Sequence, residues 1–386
     1  RLRKHRKMIL ELLLSNHCRD CTTCDKNGEC RLQELAGRFG ITRVRFKNTA
    51  ENPDIDDSSL CITRDRSKCI LCGDCVRVCN EVQNVGAINF VNRGSKMIVA
   101  AAFDEPIADS NCVGCGQCAA VCPTGAIVIK NDSLRLWDEF DKEDVKVVAQ
   151  IAPAVRVAVA KSFGLNEGNV MGKIVASLKR IGFDEVFDTA TGADLTVLEE
   201  ANEFLDRIAE NKNIPLFTSC CPAWVNYCEK NYPELLPNVS TCRSPMEMFG
   251  SVIKEQYKTS RKKIISVAIM PCTAKKFEAA REEFRREDGS PVIDYVITTK
   301  ELIQMIKEAG IVFSEIEPES IDMPFGSISG AGVIFGVTGG VTEAVIRRVE
   351  TDKSVNALRN LAFKGVRGLE GVKETTIDYG GTELKI

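Results

Sequence analysis

Residues 69–79 read Cys69-Ile-Leu-Cys72-Gly-Asp-Cys75-Val-Arg-Val-Cys79, and residues 112–123 read Cys112-Val-Gly-Cys115-Gly-Gln-Cys118-Ala-Ala-Val-Cys122-Pro123. Both runs have the spacing C-x2-C-x2-C-x3-C. Each is followed by a short β-type segment, GAINFV at 86–91 and GAIVIK at 125–130, so together they form an internal pseudo-repeat. The connection at 92–111 has room for a hairpin. Thiols stepped two residues apart suit a metal centre, because neighbouring thiolates can converge on it. The chain has 18 cysteines, of which thirteen fall in the first 122 residues, mostly in CxxC steps; a disulfide scaffold explains that clustering poorly. Zinc is the other metal reading, and eight cysteines in two matched runs favour iron–sulfur clusters over it. Thiolates that must stay reduced imply a reducing cytoplasm.

The spacing is that of bacterial two-cluster ferredoxins, in which the fourth cysteine of each run ligates the other cluster. One [4Fe-4S] cluster is therefore assigned to Cys69, Cys72, Cys75 and Cys122, and a second to Cys112, Cys115, Cys118 and Cys79. Asn80 stands where the first run would carry proline, and Cys61 lies outside the spacing as a packed or free thiol. Upstream, His17-x3-Cys21-x2-Cys24-x5-Cys30 offers four ligands for a third accessory cluster. A neutral imidazole in place of one thiolate makes such a site less negative and raises its potential. A Cys3His zinc site is the alternative, and Cys18 competes as a ligand; the neighbouring ferredoxin-type runs favour a redox cluster. This segment resembles one shared by [FeFe] hydrogenases, the large iron–sulfur subunit of complex I and NAD-linked formate dehydrogenases. By itself it says electron wire, without naming a reaction.

The rest of the chain has a different texture. At 386 residues it is too long for one ordinary core, and 44% of its residues are apolar, enough for several. A net charge of −3 gives no basic face for nucleic acid. No run approaches the length of a membrane span. The opening RLRKHRKMILELLLSNH reads as a helix already under way, hence as a cut end. From about residue 143 apolar β-type runs (VKVVAQIAP, PLFTSC, IISVAIMPC, YVITT) alternate with helical patterns (NVMGKIVASLKRIG, LTVLEEANEFLDRIAE, TKELIQMIKEAG). That alternation predicts a parallel sheet covered by helices, with the cysteines just past the C-terminal strand ends, where open α/β sheets place their sites. The expected organisation is multidomain. It comprises a small helical Cys/His cluster domain at 1–60, an α+β two-cluster ferredoxin-like domain at 61–142 and an α/β domain with parallel sheet from 143 to 386.

Two segments name a reaction. Thr218-Ser219-Cys220-Cys221-Pro222-Ala223-Trp224 and Met270-Pro271-Cys272-Thr273-Ala274-Lys275-Lys276-Phe277-Glu278 resemble the first two signature segments of [FeFe], or iron-only, hydrogenases. IAPAVR (151–156), TGADLTVLEEA (191–201) and SGAGVIFGVTGGVTEA (329–344) are similar to that family too, so the resemblance covers nearly the whole chain. The resemblance implies that Cys221 and Cys272 ligate the [4Fe-4S] part of the H-cluster. It implies that Lys275 hydrogen-bonds a cyanide on the diiron part, that Met270 packs beside it, and that Cys220 is the terminal proton carrier. It makes Glu200, Glu203, Arg207 and Ser240 the proton relay. By spacing alone, Glu200, Glu203 and Arg207 form one helical face that reads first as a solvated face with a Glu203–Arg207 i,i+4 ion pair; it is the resemblance that favours the relay.

The departures are Ala223 for a glycine, Ala154 where serine occurs, and Met246 and Glu247 where glutamines are common. Cys228 and Cys242 match no family role and read as core thiols. The family's third signature, ExMxCxxGCxxGxG, does not precede the final TTIDYGGTELKI. The chain therefore reads as the middle of a longer polypeptide, missing also an N-terminal [2Fe-2S] domain, with its catalytic pocket incomplete as written. The expected activity is reversible H2 formation from protons and electrons. The expected partners are ferredoxin, a flavin–NAD(H) subunit of an electron-bifurcating complex, or a formate dehydrogenase subunit; with no GxGxxG, any nicotinamide binds a partner. A non-catalytic complex I-like subunit explains residues 1–140 but not TSCCPAW or MPCTAKK. An H2-sensing homologue tends to lose the thiol kept here as Cys220, and an iron–sulfur assembly protein is disfavoured by Lys275 and Glu200. The cluster nearer Cys221 and Cys272 is expected to be the one held by Cys69, Cys72, Cys75 and Cys122.

Overall fold

Cysteine-rich sequence with few apolar runs folds into short strands and one-turn helices, and it does so here in the first of two compact units, Arg1–Lys130 with Cys272–Phe277. The computed structural model describes residues 1–47, 55–165, 170–326, 329, 334–336, 339–350, 364–365, 371–379 and 382–386. Helix α1 (Leu2–Ser15) and helix α2 (Arg31–Arg38) flank the His17–Cys30 turn. Strands β1 (Ile55–Asp56) and β2 (Ile62–Asp65) follow, then helix α3 (Asp74–Arg77), strands β3 (Asn89–Val91) and β4 (Ile98–Ala100), helix α4 (Gln117–Val121) and strand β5 (Ile127–Ile129). β1, β2 and β5 form an antiparallel sheet, with Ile62 opposite Ile129. β3 and β4 form the hairpin for which the sequence left room. In both cysteine runs a glycine after the second cysteine, Gly73 (φ 77°) and Gly116 (φ 71°), takes the left-handed conformation and starts the helix bearing the third cysteine. Side chains avoid that region, so the Cys-Gly-x-Cys step is a backbone requirement. Ile62, Val76, Ile88, Val99, Ile107 and Ile127 pack around Cys75 and Cys122 as the core.

The second unit is Asn131–Pro271 with Glu278–Ile386. Its elements begin with α5 (Ser133–Phe140), β6 (Val145–Ile151), α6 (Val155–Ser162), α7 (Val170–Ile181), β7 (Glu185–Asp188) and α8 (Ala190–Glu210). They continue with α9 (Pro222–Asn231), α10 (Pro245–Gln256), β8 (Lys263–Met270), α11 (Ala274–Ala279, which crosses between units), β9 (Tyr295–Thr298), α12 (Thr299–Glu308) and α13 (Gly340–Val349). The four strands make a parallel sheet in the order β7-β6-β8-β9. β6 and β8 are buried nearly throughout, as continuous apolar central strands of a two-sided sheet should be. One face packs Val155 and Val159 of α6, Ile174 and Leu178 of α7, and Leu302 and Ile306 of α12. The other packs Val148 and Phe187 against Phe249 and Ile253 of α10. Strand order reverses between β6 and β8, and such a switch point opens a crevice at the strands' C-terminal ends. A separate cluster joins Ala201 of α8 to Val345, Ile346 and Val349 of α13 and to Ile377.

Three expectations need correction. PLFTSC is not a sheet strand: Phe217 makes one isolated bridge to Val239, because Pro215 lacks a donor and Pro222 begins α9. Glu185–Asp188, not singled out in the sequence, takes the edge position as β7. Helix α8 starts at Ala190 and runs through Gly192, whose missing side chain lets the helix meet the Pro245 backbone of α10. Glycine serves there as a packing residue, and the helix begins upstream of the LTVLEEANEFLDRIAE pattern. In 329–344, residues 330–333 and 337–338 lie outside the described residues. Among the described residues no helix is long and apolar enough to cross a membrane.

Candidate functional site

The cysteine runs form two quartets in the first unit. Cys69, Cys72, Cys75 and Cys122 line one pocket, and Cys79, Cys112, Cys115 and Cys118 line another. Helices α3 and α4 cause the exchange, since each carries its run's fourth cysteine away from the first three. None of the 18 cysteines, all of them described, forms a disulfide. Among the described residues no three His, Cys, Asp or Glu groups close to single-ion geometry; the thiols of each quartet instead line one common pocket. Burial, then the neighbouring thiols, pushes Cys75 up to about 12, and the same causes push Cys118 up. Four such thiols ionise together only when a cation compensates them, which an iron–sulfur core does. Backbone amides of Leu71 and Gly114 donate to Cys69 Sγ (3.4 Å) and Cys112 Sγ (3.5 Å), contacts that tune cluster potentials. The donor set fits two [4Fe-4S] clusters.

Around His17 the same test holds. Burial, then Cys24 and Cys30 ahead of Asp20 and Cys18, raises the pKa of the Cys21 thiol. The Cys18 amide is turned to the Ser67 carbonyl (2.8 Å). His17 Nδ1 is buried without a hydrogen-bond partner, while the imidazole also meets the Lys68 backbone. Burial lowers its pKa, so the ring is neutral, the form that ligates metal. A side chain at Gly125 would begin 2.6 Å from Cys24 Sγ, which sets this turn directly against the Cys122 loop.

Residues 272–277 settle one question of order within the first unit. Thr273 Oγ1 donates to the Gly114 carbonyl (2.7 Å), and a Cβ on Gly116 would lie 2.5 Å from the same hydroxyl oxygen. Cys61, 2% exposed, packs against Gly114 and meets the Phe277 backbone. The quartet beside Cys272 is thus the one containing Cys112, Cys115 and Cys118, which reverses the order expected from the sequence. The cause is the loop of the second run, whose two left-handed glycines leave room for the incoming segment. Gly116→Ala should cost about 1–2 kcal/mol from the left-handed backbone alone, plus the clash with Thr273. A denaturation midpoint unchanged from the parent would refute that reading.

In the second unit Cys220 is half-buried and Cys221 exposed. Cys221 is the N-cap of α9 with Pro222 at its first turn. A helix N-terminus favours an anionic ligand there. Met270, 3% exposed, ends β8, two residues before Cys272; Lys275 lies half-buried in α11.

Glu200 and Glu203 of α8 face inward, as the helical spacing allowed. Arg207 Nη2 donates to Glu203 Oε1 (2.5 Å) and Ser240 Oγ donates to Glu203 Oε2 (2.7 Å). The Thr241 amide reaches both Glu203 oxygens at 3.1 Å. Burial alone would raise the Glu203 pKa, but Ser240, Thr241 and Arg207 outweigh it and hold the carboxyl below its ordinary range. Glu200 is 1% exposed, and both its oxygens are buried without a well-formed hydrogen bond, with Ser240 nearby. Burial raises it to about 7. Two carboxyls with pKa values driven apart are an acid–base pair, one poised to exchange a proton at neutral pH and one kept ionised. Sequence reasoning missed Cys242, Ser219 and Thr241. Cys242 is not a core thiol: it is half-buried, and its Sγ donates to Glu203 Oε2 at 3.5 Å. Only its i,i+2 relation to Ser240 hinted at this. Cys228 is fully buried, as read.

Residues 145–386 match the family described as iron only hydrogenase large subunit, C-terminal domain. Residues 6–45 match the NADH-ubiquinone oxidoreductase-G iron-sulfur binding region, and 68–126 the 4Fe-4S dicluster domain. The NADP-reducing hydrogenase subunit HndD of Solidesulfovibrio fructosivorans is 44% identical over 99% of this chain and 67% of its own length. Iron hydrogenase 1 of Clostridium pasteurianum is 37% identical over 98% of this chain and 67% of its own. A single-residue variant of the apo [FeFe]-hydrogenase HydA1 of Chlamydomonas reinhardtii superposes with a TM-score of 0.55 at 39% identity, covering 64% of each chain. The chain thus spans about two thirds of the length of these relatives.

Proposed function

Because this chain belongs to the iron-only hydrogenase large-subunit family, a family of iron–sulfur oxidoreductases acting on hydrogen, we propose that it carries out reversible H2 formation from two protons and two electrons. The observation that carries this is the Glu200–Ser240–Glu203 constellation behind the loop of Cys220, since a buried site that makes H2 needs a proton path as well as an electron path. The test is H2 evolution from a reduced viologen by the anaerobically matured protein. Absence of turnover at full iron loading would leave the electron-transfer reading standing instead.

Cys221 and Cys272 are the proposed ligands of the [4Fe-4S] part of the H-cluster, with Met270 beside the diiron part and Lys275 donating to its anionic ligand. When bound, that cofactor supplies the iron at which protons and electrons combine. The chain's own residues move the protons. Glu203, held ionised by Arg207, accepts a proton from the surface; the Ser240 hydroxyl passes it to Glu200; Glu200 delivers it to the Cys220 thiol. Electrons are proposed to run from the His17 site through the Cys69 quartet and then the Cys112 quartet to Cys272, an order supported by the contacts of Gly125 and Thr273.

The functional division proposed is 1–60 for a helical His/Cys cluster domain, 61–142 for the two-cluster domain and 143–386 for the hydrogenase domain. The name of the 44%-identical relative, a subunit of an NADP-reducing hydrogenase, supports a nicotinamide-binding partner subunit, and the free thiols support a reducing cytoplasm. We expect His17→Cys to keep its cluster but lower its midpoint by roughly 100–200 mV, since an added thiolate makes the site more negative. A redox titration followed by electron paramagnetic resonance reads this, and stoichiometric zinc at the site would refute the ligand set.

A further inference from the structure

Cys242 sits in the loop between Val239 and Pro245 and touches both ends of the proton path. Its thiol donates to Glu203 Oε2 (3.5 Å), its amide donates to Ser240 Oγ (3.2 Å), and its carbonyl accepts from Ser219 Oγ (2.6 Å). Ser219 is the residue before Cys220. We propose that Cys242 is a positioning residue of the relay: thiol and amide fix the Glu203–Ser240 geometry, and the carbonyl fastens the Cys220 loop to it. The proposal rests on the relay reading above.

The surroundings explain why one residue matters. Arg207 is itself braced by the carbonyls of Asn213 (3.1 Å), Pro237 (3.1 Å) and Val239 (3.0 Å), so Glu203 Oε1 is held from a rigid side. Oε2, the oxygen on the proton path, takes its side-chain hydrogen bonds from Ser240 and Cys242. When Ser240 turns its hydroxyl to pass a proton, Cys242 is the side chain that, with the Thr241 amide (3.1 Å), keeps Oε2 in place. Burial, with Glu203 and Glu200 nearby and in spite of the Ser240 hydroxyl, pushes the thiol up to about 12. It therefore keeps its proton and acts as a donor. Upstream of Cys220, Phe217 makes a single bridge, its amide donating to Asn238 O (2.8 Å) and its carbonyl accepting from Ser240 N (2.7 Å), and Asn238 Nδ2 donates to Pro215 O (2.9 Å). The Ser219–Cys242 bond adds a tie next to the reactive thiol. Hydrogen-bonded relays tolerate little displacement, because each transfer needs heavy atoms within about 3 Å.

The test compares Cys242→Ala, Cys242→Ser and Ser219→Ala in the matured holoprotein at matched iron content, reading H2 evolution against pH. Cys242→Ser keeps a donor and should stay within about twofold of the parent. Cys242→Ala should lower turnover roughly 3- to 10-fold. It should also move the acid limb of the pH profile upward, because Glu203, facing Glu200 and Arg207 on α8, loses a donor to its ionised form and binds protons more tightly. Ser219→Ala should lower turnover without moving that limb. Parental rate and acid limb in Cys242→Ala, beside an inactive Glu203→Gln, overturn the inference and leave the relay reading intact. A Glu203→Gln variant at parental rate overturns the relay reading and the inference with it. Should Cys242→Ala lose its clusters, parental turnover in Ser219→Ala overturns the clamp.

Discussion

Replacing Cys220 by serine should leave the iron content unchanged and reduce H2 turnover by at least about 100-fold, the low end of what a positioned acid–base group contributes. Serine keeps the size and the hydrogen bonding of the residue. It does not keep the acidity: an alcohol gives up its proton far less readily than a thiol, so the step into the catalytic pocket becomes the slow one. Cys220 precedes Cys221, the N-cap of α9, and is half-buried. The substitution therefore leaves the helix cap and the proposed cluster ligand in place. Iron analysis, the spectra of the accessory clusters and the H2 assay on the same preparation make the comparison. Near-parental turnover at matched iron would falsify the assignment of Cys220 as terminal carrier.

The second large effect is expected at Glu200. Glu200→Gln should also cost about 100-fold or more in turnover, because an amide has no proton to pass at neutral pH. Its effect on stability should have the opposite sign. The folded-state pKa of Glu200 is raised by burial to about 7, above the value of an unfolded glutamate. The native state thus binds the proton more tightly than the unfolded state does. That contribution to stability is fully present below the unfolded pKa and is lost as pH rises through the folded pKa near 7. Glutamine never ionises, so the variant escapes the loss. Its denaturation midpoint, measured against the parent at pH values below and above that window, should gain more on the alkaline side. An equal difference at both pH values would mean that Glu200 is not the buried, weakly acidic group described. Loss of turnover with a gain in stability is the mark of a carboxyl kept in an unfavourable place for its function.

The amino-acid sequence alone pointed to most of the proposed metal ligands. Ligand spacing is a local property: Cys69 to Cys79 and Cys112 to Cys122 reach their quartets through short loops and single helical turns, with Gly73 and Gly116 turning the backbone. Even the exchange of the fourth cysteines follows from spacing, and the cavities are lined accordingly. The buried strands β6 and β8 were legible for a similar reason, as unbroken apolar runs have nowhere to go but the middle of a sheet. Tertiary structure decided what depends on residues far apart in the chain. PLFTSC has the composition of a strand but, among the described residues, pairs as a strand only through the single bridge to Val239, whereas the less conspicuous Glu185–Asp188 finds a place beside β6. Gly192 lies inside α8, where its missing side chain lets Pro245 come against the helix. Which quartet lies beside Cys272 was settled by Thr273 reaching Gly114, a contact spanning 159 positions of the chain. The same holds for the relay: α8 spacing put Glu200 and Glu203 on one face, but their opposite pKa shifts come from burial and from Ser240, Thr241 and Arg207 converging on one carboxylate. Cys242 belongs to that group through space alone, 39 positions from the glutamate it touches. Hydrogen bonds and desolvation act over a few ångströms of space whatever the separation in sequence, so only the folded chain could assign it a part.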